Sequence, residues 1–205
     1  AAINPAARGV SFEDDIMGRL IRFVSSHEVG HTLGLPHNMG SSVAYPVDSL
    51  RSKTFTEKYG TAPSIMDYAR FNYIAQPGDE GVALMPDIGV YDKYAIQWGY
   101  KPILNTTAEE EKSTLDQWIM AHSDGDVEEI KLLVDDAMKA GEYGIANLKR
   151  IVPKLIEWTT EDGKNYDDLN KLYGQVFSQF NRYMGHVSNN IGGVYENHKT
   201  YDQEG

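Results

Sequence analysis

The residues that most constrain this chain form the run His27-Glu28-Val29-Gly30-His31-Thr32-Leu33-Gly34-Leu35-Pro36-His37. On a helix, histidines four residues apart project from one face, so His27 and His31 can bind one metal ion. Glu28 lies beside them and can reach a water on that metal. Gly34 can adopt a positive φ, which lets the helix end and the chain turn back with His37 as third ligand. Three nitrogens and a water make an open zinc site of the catalytic kind.

A second motif, Ser64-Ile65-Met66-Asp67-Tyr68, follows a polar loop. With the histidine motif it resembles the metzincin metalloproteases, whose Met-turn places a methionine beneath the zinc-binding histidines. The spacing of serine, methionine and tyrosine is most similar to that of astacins and serralysins. By this resemblance Met66 is the floor of the site, and Tyr68 is a candidate for stabilising the transition-state oxyanion. Without the histidine motif, the better interpretation of these residues would be a core methionine and an ordinary half-buried tyrosine, because apolar residues are usually core.

A third segment, Asp87 to Tyr100, is similar to the one that closes metzincin catalytic domains. The resemblance places Asp92 at the start of a helix and Ala95-Ile96 beneath the site. The residue after the third histidine usually marks the subfamily. It is Asn38 here, which is neither the glutamate of astacins nor the proline of serralysins.

Nearly the whole chain resembles a group of large zinc-dependent metzincin-like proteases from Bacteroidetes-type bacteria. The resemblance implies one catalytic zinc ion and a peptide or protein substrate. It also implies an extracytoplasmic location, whether secreted, periplasmic or at the cell surface.

Composition excludes several classes of function. The net charge of −11 disfavours nucleic acid and anionic membrane surfaces as partners. No apolar run reaches the length of a membrane span. The chain has no cysteine, which excludes disulfides, a cysteine zinc site and cysteine-protease chemistry.

We expect a mainly α-helical fold in two parts. Residues 1–104 should form the lower subdomain of a metzincin catalytic domain, and residues 105–205 a helical region packed on it. An active-site helix is predicted from about Phe12 to Leu33, with Ser11 as its N-cap. Metzincins place a sheet subdomain before this helix, and the chain has no room for one. The chain is therefore expected to be a fragment whose partner is the rest of the parent polypeptide, with apolar surface exposed beside the helix.

The remaining segments carry weaker signals. Residues 40–63 read as a loop that shapes the pocket for the residue after the scissile bond, or as a plain connector. Thr107 to Glu110 predicts a capping box. Further helices are predicted at about residues 126–140, ending at Gly141, at 145–158, interrupted by Pro153, and at 166–191. A separate core for this half is predicted from Leu115, Trp118, Leu172 and Phe180.

By the resemblance, the chain is expected to be a zinc-dependent metallopeptidase with Glu28 as general base. One alternative is a non-catalytic interaction module that kept a metzincin scaffold, against which the intact Glu28 argues. The other is a zinc hydrolase of a non-peptide amide. An array of peptide and non-peptide amide substrates would separate that reading from a peptidase.

Overall fold

The structure is a computed structural model, and it describes residues 1–125 and 137–192. Its α-helices are α1 (Asp14–Thr32), α2 (Lys53–Tyr59), α3 (Val90–Tyr100), α4 (Ala108–Gly125), α5 (Ala137–Ile151), α6 (Leu155–Thr159) and α7 (Asp167–Gly192). Short 3-10 helices occupy Pro5–Ala7, Ser41–Ala44, Ser49–Arg51 and Val152–Lys154. No strand occurs within these two described ranges, and the expected mainly α-helical fold is confirmed.

Helix α1 carries the histidine motif. Asp14 and Asp15 lie in its first turn, where carboxylates offset the positive end of the helix dipole. The N-cap is Glu13, and no side chain caps the helix. The predicted Ser11 cap is therefore wrong, because the chain enters the helical conformation only after Glu13.

One face of α1 exposes a stripe of apolar side chains. Met17, Ile21 and Val24 are 41%, 58% and 52% exposed. Their spacing of four and three residues places them on one side of the helix, and Glu28 continues the same line. The expectation of exposed apolar surface beside this helix is confirmed for the described chain. No helix in the described ranges is long and apolar enough to cross a bilayer.

The segment between the histidine motif and the Met-turn is more ordered than the predicted loop, because it contains α2. Ser52 caps this helix by accepting a hydrogen bond from the amide of Phe55 at 3.3 Å. Gly60, with φ +77°, ends it. The buried ring of Tyr45 meets that of Phe55 edge-on, with 5.1 Å between centroids. These contacts hold residues 45–60 together between the histidine motif and the Met-turn.

Helix α5 continues through Gly141, where the sequence predicted an end, so that prediction is wrong. A Cβ built at Gly144 would lie 2.5 Å from the ring of Tyr183, and one at Gly141 would lie 3.8 Å from Val187. The bare backbone at Gly144 thus lets α7 pack closely against α5. That packing outweighs the penalty of roughly 1 kcal/mol for a glycine inside a helix.

Other boundaries in this half follow the sequence. The amide of Thr107 donates to Glu110 Oε2 at 2.8 Å and the amide of Glu110 donates to Thr107 Oγ1 at 3.3 Å, which is the predicted capping box. Pro153 lies in the 3-10 turn that separates α5 from α6, as predicted. Residues 126–136 of the helix predicted at about 126–140 lie outside the described residues, as does Gly193.

Polar side chains on α5 hold it against the chain that follows the Met-turn. Asn147 Nδ2 donates to the carbonyl oxygens of Tyr73 and Ala75 at 3.1 and 2.8 Å. Arg150 donates to Gln76 Oε1 at 2.5 Å. Helix α5 is therefore held against residues 73–76 through specific hydrogen bonds.

An ion pair between Arg51 and Asp79 lies beside α5 and adds a further contact to that helix. Arg51 donates two hydrogen bonds to Asp79, from Nε at 2.7 Å and from Nη2 at 2.9 Å. Its third bond goes to the hydroxyl of Tyr143 on α5 at 3.2 Å, and the guanidinium lies 4.9 Å from the centre of that ring. The hydrogen bonds from Arg51 lower the pKa of Asp79 below its ordinary value.

Most buried apolar side chains lie before residue 105: Tyr45, Ala62, Ile65, Met66, Ile74, Ala75 and Val82. Among the described residues after position 104, the buried apolar side chains are Ala140, Leu155 and Tyr183. Leu115, Trp118 and Leu172 are partly exposed and Phe180 is 40% exposed, so the separate core predicted from them is wrong. The reason is that α5 and α7 meet through glycine and tyrosine rather than through these large side chains. The division after residue 104 stays a prediction.

Candidate metal centre

Two histidines of α1 face the same side of the helix with their tautomers set by backbone carbonyls. His27 Nδ1 lies 2.8 Å from the carbonyl oxygen of Ile65, and His31 Nδ1 lies 2.9 Å from that of Leu35. A carbonyl oxygen can only accept, so each Nδ1 carries the proton. The Nε2 lone pair of each neutral ring is left free to bind a metal. Carbonyl partners of this kind commonly orient metal-binding histidines.

The end of α1 brings the third histidine back to the first two. Gly34 has φ +83° and its amide donates to the carbonyl of His31 at 3.0 Å, while the amide of Leu35 donates to that of Gly30 at 3.0 Å. These two bonds form a Schellman motif, which requires a left-handed residue that glycine provides without strain. The turn returns the chain so that His37 Nε2 lies 3.1 Å from His31 Nε2. The sequence prediction for Gly34 is confirmed.

The three histidines fit a zinc ion. One ligand atom from each of His27, His31 and His37 lies within 4.8 Å of the others. With Zn–N bonds of about 2.0–2.1 Å, a tetrahedral site separates two ligand nitrogens by roughly 3.3–3.4 Å. The 3.1 Å between His31 and His37 is close to that value. At this spacing one metal ion can bind to both nitrogens.

The Met-turn packs directly beneath this cluster. Met66 is 1% exposed, and its sulfur lies where a side chain at Gly30 would be, since a Cβ there would come within 2.3 Å of it. The carbonyl of Met66 accepts a hydrogen bond from the amide of Asn38 at 3.0 Å. The carbonyl of Ile65 accepts from His27. The turn thus contacts the helix, one histidine and the residue that follows the third histidine.

Asp92, in the first turn of α3, holds the Met-turn in place. It is buried, and its carboxylate accepts from Ser64 Oγ at 2.6 Å, from the amide of Ile65 at 2.6 Å and from the amide of Gly89 at 2.8 Å. A Cβ at Gly89 would lie 1.8 Å from the carbonyl oxygen of Pro63, so the close approach of α3 requires glycine there. Asp92 therefore acts on the site through the peptide of Ile65.

Tyr68 stands at the edge of the histidine cluster. Its ring is stacked on His27, with 5.5 Å between centroids, and lies 4.7 Å from the ring of His37. The side chain is 53% exposed. The residue is thus held by ring contacts while its outer part stays open to a ligand.

Glu28 is exposed on α1, between the two helical histidines. It forms no hydrogen bond or ion pair with another described residue, so its carboxylate is available to accept a proton. It lies one turn before His31, on the side of the helix that carries the exposed stripe.

Of the site residues that the sequence proposed, the structure brings together His27, His31, His37, Met66 and Tyr68, and Glu28 follows His27 on α1. Their roles stay predictions. Sequence reasoning missed the close contact at Gly30 and the hydrogen bond of Ser64 with Asp92. One signal was available for the first, because a glycine inside a helix is unfavourable and often marks a close approach. The bond between residues 64 and 92 leaves no local signal.

Comparison with known proteins gives one family. The family described as Met-zincin matches residues 9–129 and 131–205, which is nearly the entire chain. No curated protein and no solved structure matches significantly. The likeness of the Met-turn to astacins and serralysins stays a prediction.

Proposed function

This chain belongs to the Met-zincin family, and from that premise we propose that it is a zinc-dependent metallopeptidase that hydrolyses peptide bonds. Zinc is the metal that the family implies, and the three histidines suit it. The observation that carries the proposal is the meeting of the His27, His31 and His37 nitrogens beside an unpaired, exposed Glu28.

In this proposal His27, His31 and His37 hold the metal through their deprotonated nitrogens. A zinc ion held there would supply a Lewis acid to polarise the scissile carbonyl, and it would lower the pKa of a water toward about 7. Glu28 accepts the proton of the attacking water and returns it to the leaving amine. Tyr68 donates a hydrogen bond to the developing oxyanion of the substrate. Met66 fixes the distance between the metal-binding helix and the turn below it.

The experiment that tests the proposal compares the zinc-loaded protein with its Glu28→Gln variant. Cleavage of a mixed peptide library is read by mass spectrometry, and metal content by plasma emission. The variant should keep its zinc and lose on the order of 100-fold or more in the rate of cleavage. Glu13→Gln, an exposed glutamate at the start of the same helix, is the matched control and should change neither quantity.

A parallel set of non-peptide amides separates the two alternatives. Cleavage of these compounds but of no peptide would identify a zinc amide hydrolase. Zinc binding without hydrolysis of either set would identify a non-catalytic module.

A further inference from the structure

A cavity of about 660 Å³ opens beside the histidine cluster. Tyr68 contacts the histidines and also lines this cavity. Tyr68 lines the cavity while its ring lies 4.7 Å from that of His37. Tyr45 contributes another wall, and Ala140 of α5 and Arg182 of α7 contribute the far side. A peptide held at the histidines would therefore have a neighbouring side chain within reach of this cavity.

The charged residues of the cavity are mostly cationic. Arg70 and Arg182 line it. Among the described residues, the carboxylate that lines the cavity is that of Asp67. It already accepts hydrogen bonds from Ser41 Oγ at 3.0 Å and from the amide of Ser42 at 2.8 Å. Positive charge is thus concentrated here in a protein whose net charge is −11. Such a local field attracts anions.

Both arginines have capacity for a further partner. Arg182 donates from Nη1 to the neutral Gln179 Oε1 at 3.0 Å, and neither Arg182 nor Arg70 pairs with a carboxylate among the described residues. Arg51, in contrast, is paired with a carboxylate through two hydrogen bonds. A guanidinium presents a planar set of donors that matches a carboxylate, so Arg182 can bind one.

Two deeply buried polar oxygens lie in the wall of the same cavity. Asn72 Nδ2 donates to the carbonyls of Leu50 and Ala83 at 2.7 and 3.0 Å, which leaves its Oδ1 without a partner among the described residues. The hydroxyl of Thr61 is also unpartnered within the described chain. Buried polar groups normally have hydrogen-bond partners. This wall therefore favours a hydrated polar side chain, whose water can bond to these oxygens, over an aliphatic side chain.

We propose that this cavity receives an acidic side chain of the peptide substrate, beside the scissile bond, with Arg182 and Arg70 binding its carboxylate. The inference rests on the proposed peptidase function and adds a substrate class to it. An aliphatic side chain would remove water from the guanidinium groups without pairing them. A basic side chain would be repelled by them.

A binding measurement tests the cavity apart from catalysis. The zinc-loaded Glu28→Gln variant is titrated with peptide libraries in which one position at a time is Glu, Gln, Leu or Lys. Peptides with Glu at the responsive position should bind on the order of 10-fold more tightly than those with Gln, because only Glu carries the paired charge. Adding Arg182→Gln should remove that preference, and circular dichroism should show an unchanged fold.

A cleavage measurement provides the second arm. The same libraries are given to the protein with Glu28 intact, to Arg182→Gln and to the charge reversal Arg182→Glu. The acidic preference should be lost in the first variant and replaced by a basic one in the second. Lys171→Gln removes a charge from an exposed position on α7 outside the cavity and should change nothing.

The outcomes separate the two proposals. Cleavage without acidic preference, together with equal binding of Glu and Gln peptides, overturns the acidic pocket and leaves the peptidase standing. Arg182-dependent binding of acidic peptides, with no cleavage of any peptide, keeps the pocket and overturns the peptidase. Absence of both binding and cleavage overturns both.

Discussion

A Cβ atom at Gly30 would lie 2.3 Å from the sulfur of Met66, far inside van der Waals contact. Gly30 lies between His27 and His31 on α1, and Met66 is almost fully buried below them. The missing side chain of one residue therefore makes the space for the other. The pair sets the distance between the metal-binding helix and the Met-turn.

Gly30→Ala should destabilise the protein. The added methyl group must displace a buried methionine, and overpacking of this kind costs about 1–3 kcal/mol. Alanine gains up to roughly 1 kcal/mol of helix propensity in return, so the net loss is expected to be up to about 2 kcal/mol. Chemical denaturation of the zinc-loaded protein measures it. Zinc affinity should fall as well, because α1 moves relative to Ile65.

Gly18→Ala is the control on the same helix. A Cβ at Gly18 meets nothing within 4 Å, so only the propensity changes. That variant should be more stable by about 0.5–1 kcal/mol. If both variants gained stability, the contact between Gly30 and Met66 would not limit packing.

Asp92→Asn should loosen the Met-turn and weaken metal binding. The carboxylate of Asp92 accepts hydrogen bonds from Ser64, Ile65 and Gly89, and an amide can replace only part of them because its nitrogen is a donor. Hydrogen bonds to a charged group are worth about 1.5–3 kcal/mol each, so we expect a stability loss of at least about 2 kcal/mol. Zinc affinity, measured by competition with a chelator, should fall roughly 10-fold, as for other groups that orient ligands.

Asp87→Asn provides the comparison for that variant. Asp87 is exposed and accepts one hydrogen bond, from the amide of Ile88 at 2.8 Å. The Asp87→Asn variant should lose less than about 0.5 kcal/mol in free energy of unfolding and keep its zinc affinity. Equal effects at positions 87 and 92 would mean that Asp92 does not position the site.

The sequence predicted the metal site because the information is local. Helix periodicity alone relates His27 to His31, and the positive φ of Gly34 alone accounts for the turn toward His37. Each of these relations spans a few residues. Helix α2 was also locally encoded, by the cap at Ser52 and the ending at Gly60, and could have been predicted on the same grounds.

The remaining features depend on contacts between distant residues. Gly141 looked like a helix end, yet the packing of α7 against α5 carries the helix past it. The bond of Ser64 with Asp92 joins positions 28 residues apart. The cationic cavity combines Arg70 with Arg182 of α7, which no local pattern relates. Such pairings follow from tertiary packing and leave no periodic signal.

Asp79→Asn should change the stability of the protein in a pH-dependent way. Hydrogen bonds from Arg51 lower the pKa of Asp79, so the ionised carboxylate stabilises the folded state above about pH 4, and this is lost as the pH falls further. The variant should therefore be less stable by about 1–3 kcal/mol at pH 7. The difference in free energy of unfolding between the two proteins should shrink as the pH falls below about 4 and Asp79 takes up a proton. Urea denaturation across this pH range measures it.

Asp116→Asn removes a carboxylate from an exposed pair with Lys112 on α4. Pairs of this kind contribute about 0.3–0.5 kcal/mol, so its pH profile should stay close to that of the unaltered protein. A parallel loss in both variants would indicate a general charge effect rather than the junction between Arg51 and Asp79.

His31→Ala should remove tight zinc binding. Two remaining histidines leave a poor site, whereas the unaltered chain is expected to hold about one zinc ion. Plasma emission after dialysis gives the metal content. His122→Ala is the control, since that ring stacks on Tyr94 at 4.1 Å and belongs to no metal cluster in the described chain. Full occupancy in His31→Ala would contradict the ligand assignment.

Tyr68→Phe separates the hydroxyl of this residue from its ring. Phenylalanine keeps the contacts with His27 and His37, so zinc content and stability should not change. If the hydroxyl binds the substrate only as the oxyanion develops, kcat falls roughly 10-fold while KM stays nearly constant, a smaller loss than in Glu28→Gln. Steady-state kinetics on one well-cleaved peptide measures both constants, with the exposed Tyr173→Phe as control. A rise in KM at constant kcat would instead assign Tyr68 to ground-state binding, and it would then belong with the cavity that it lines rather than with the oxyanion.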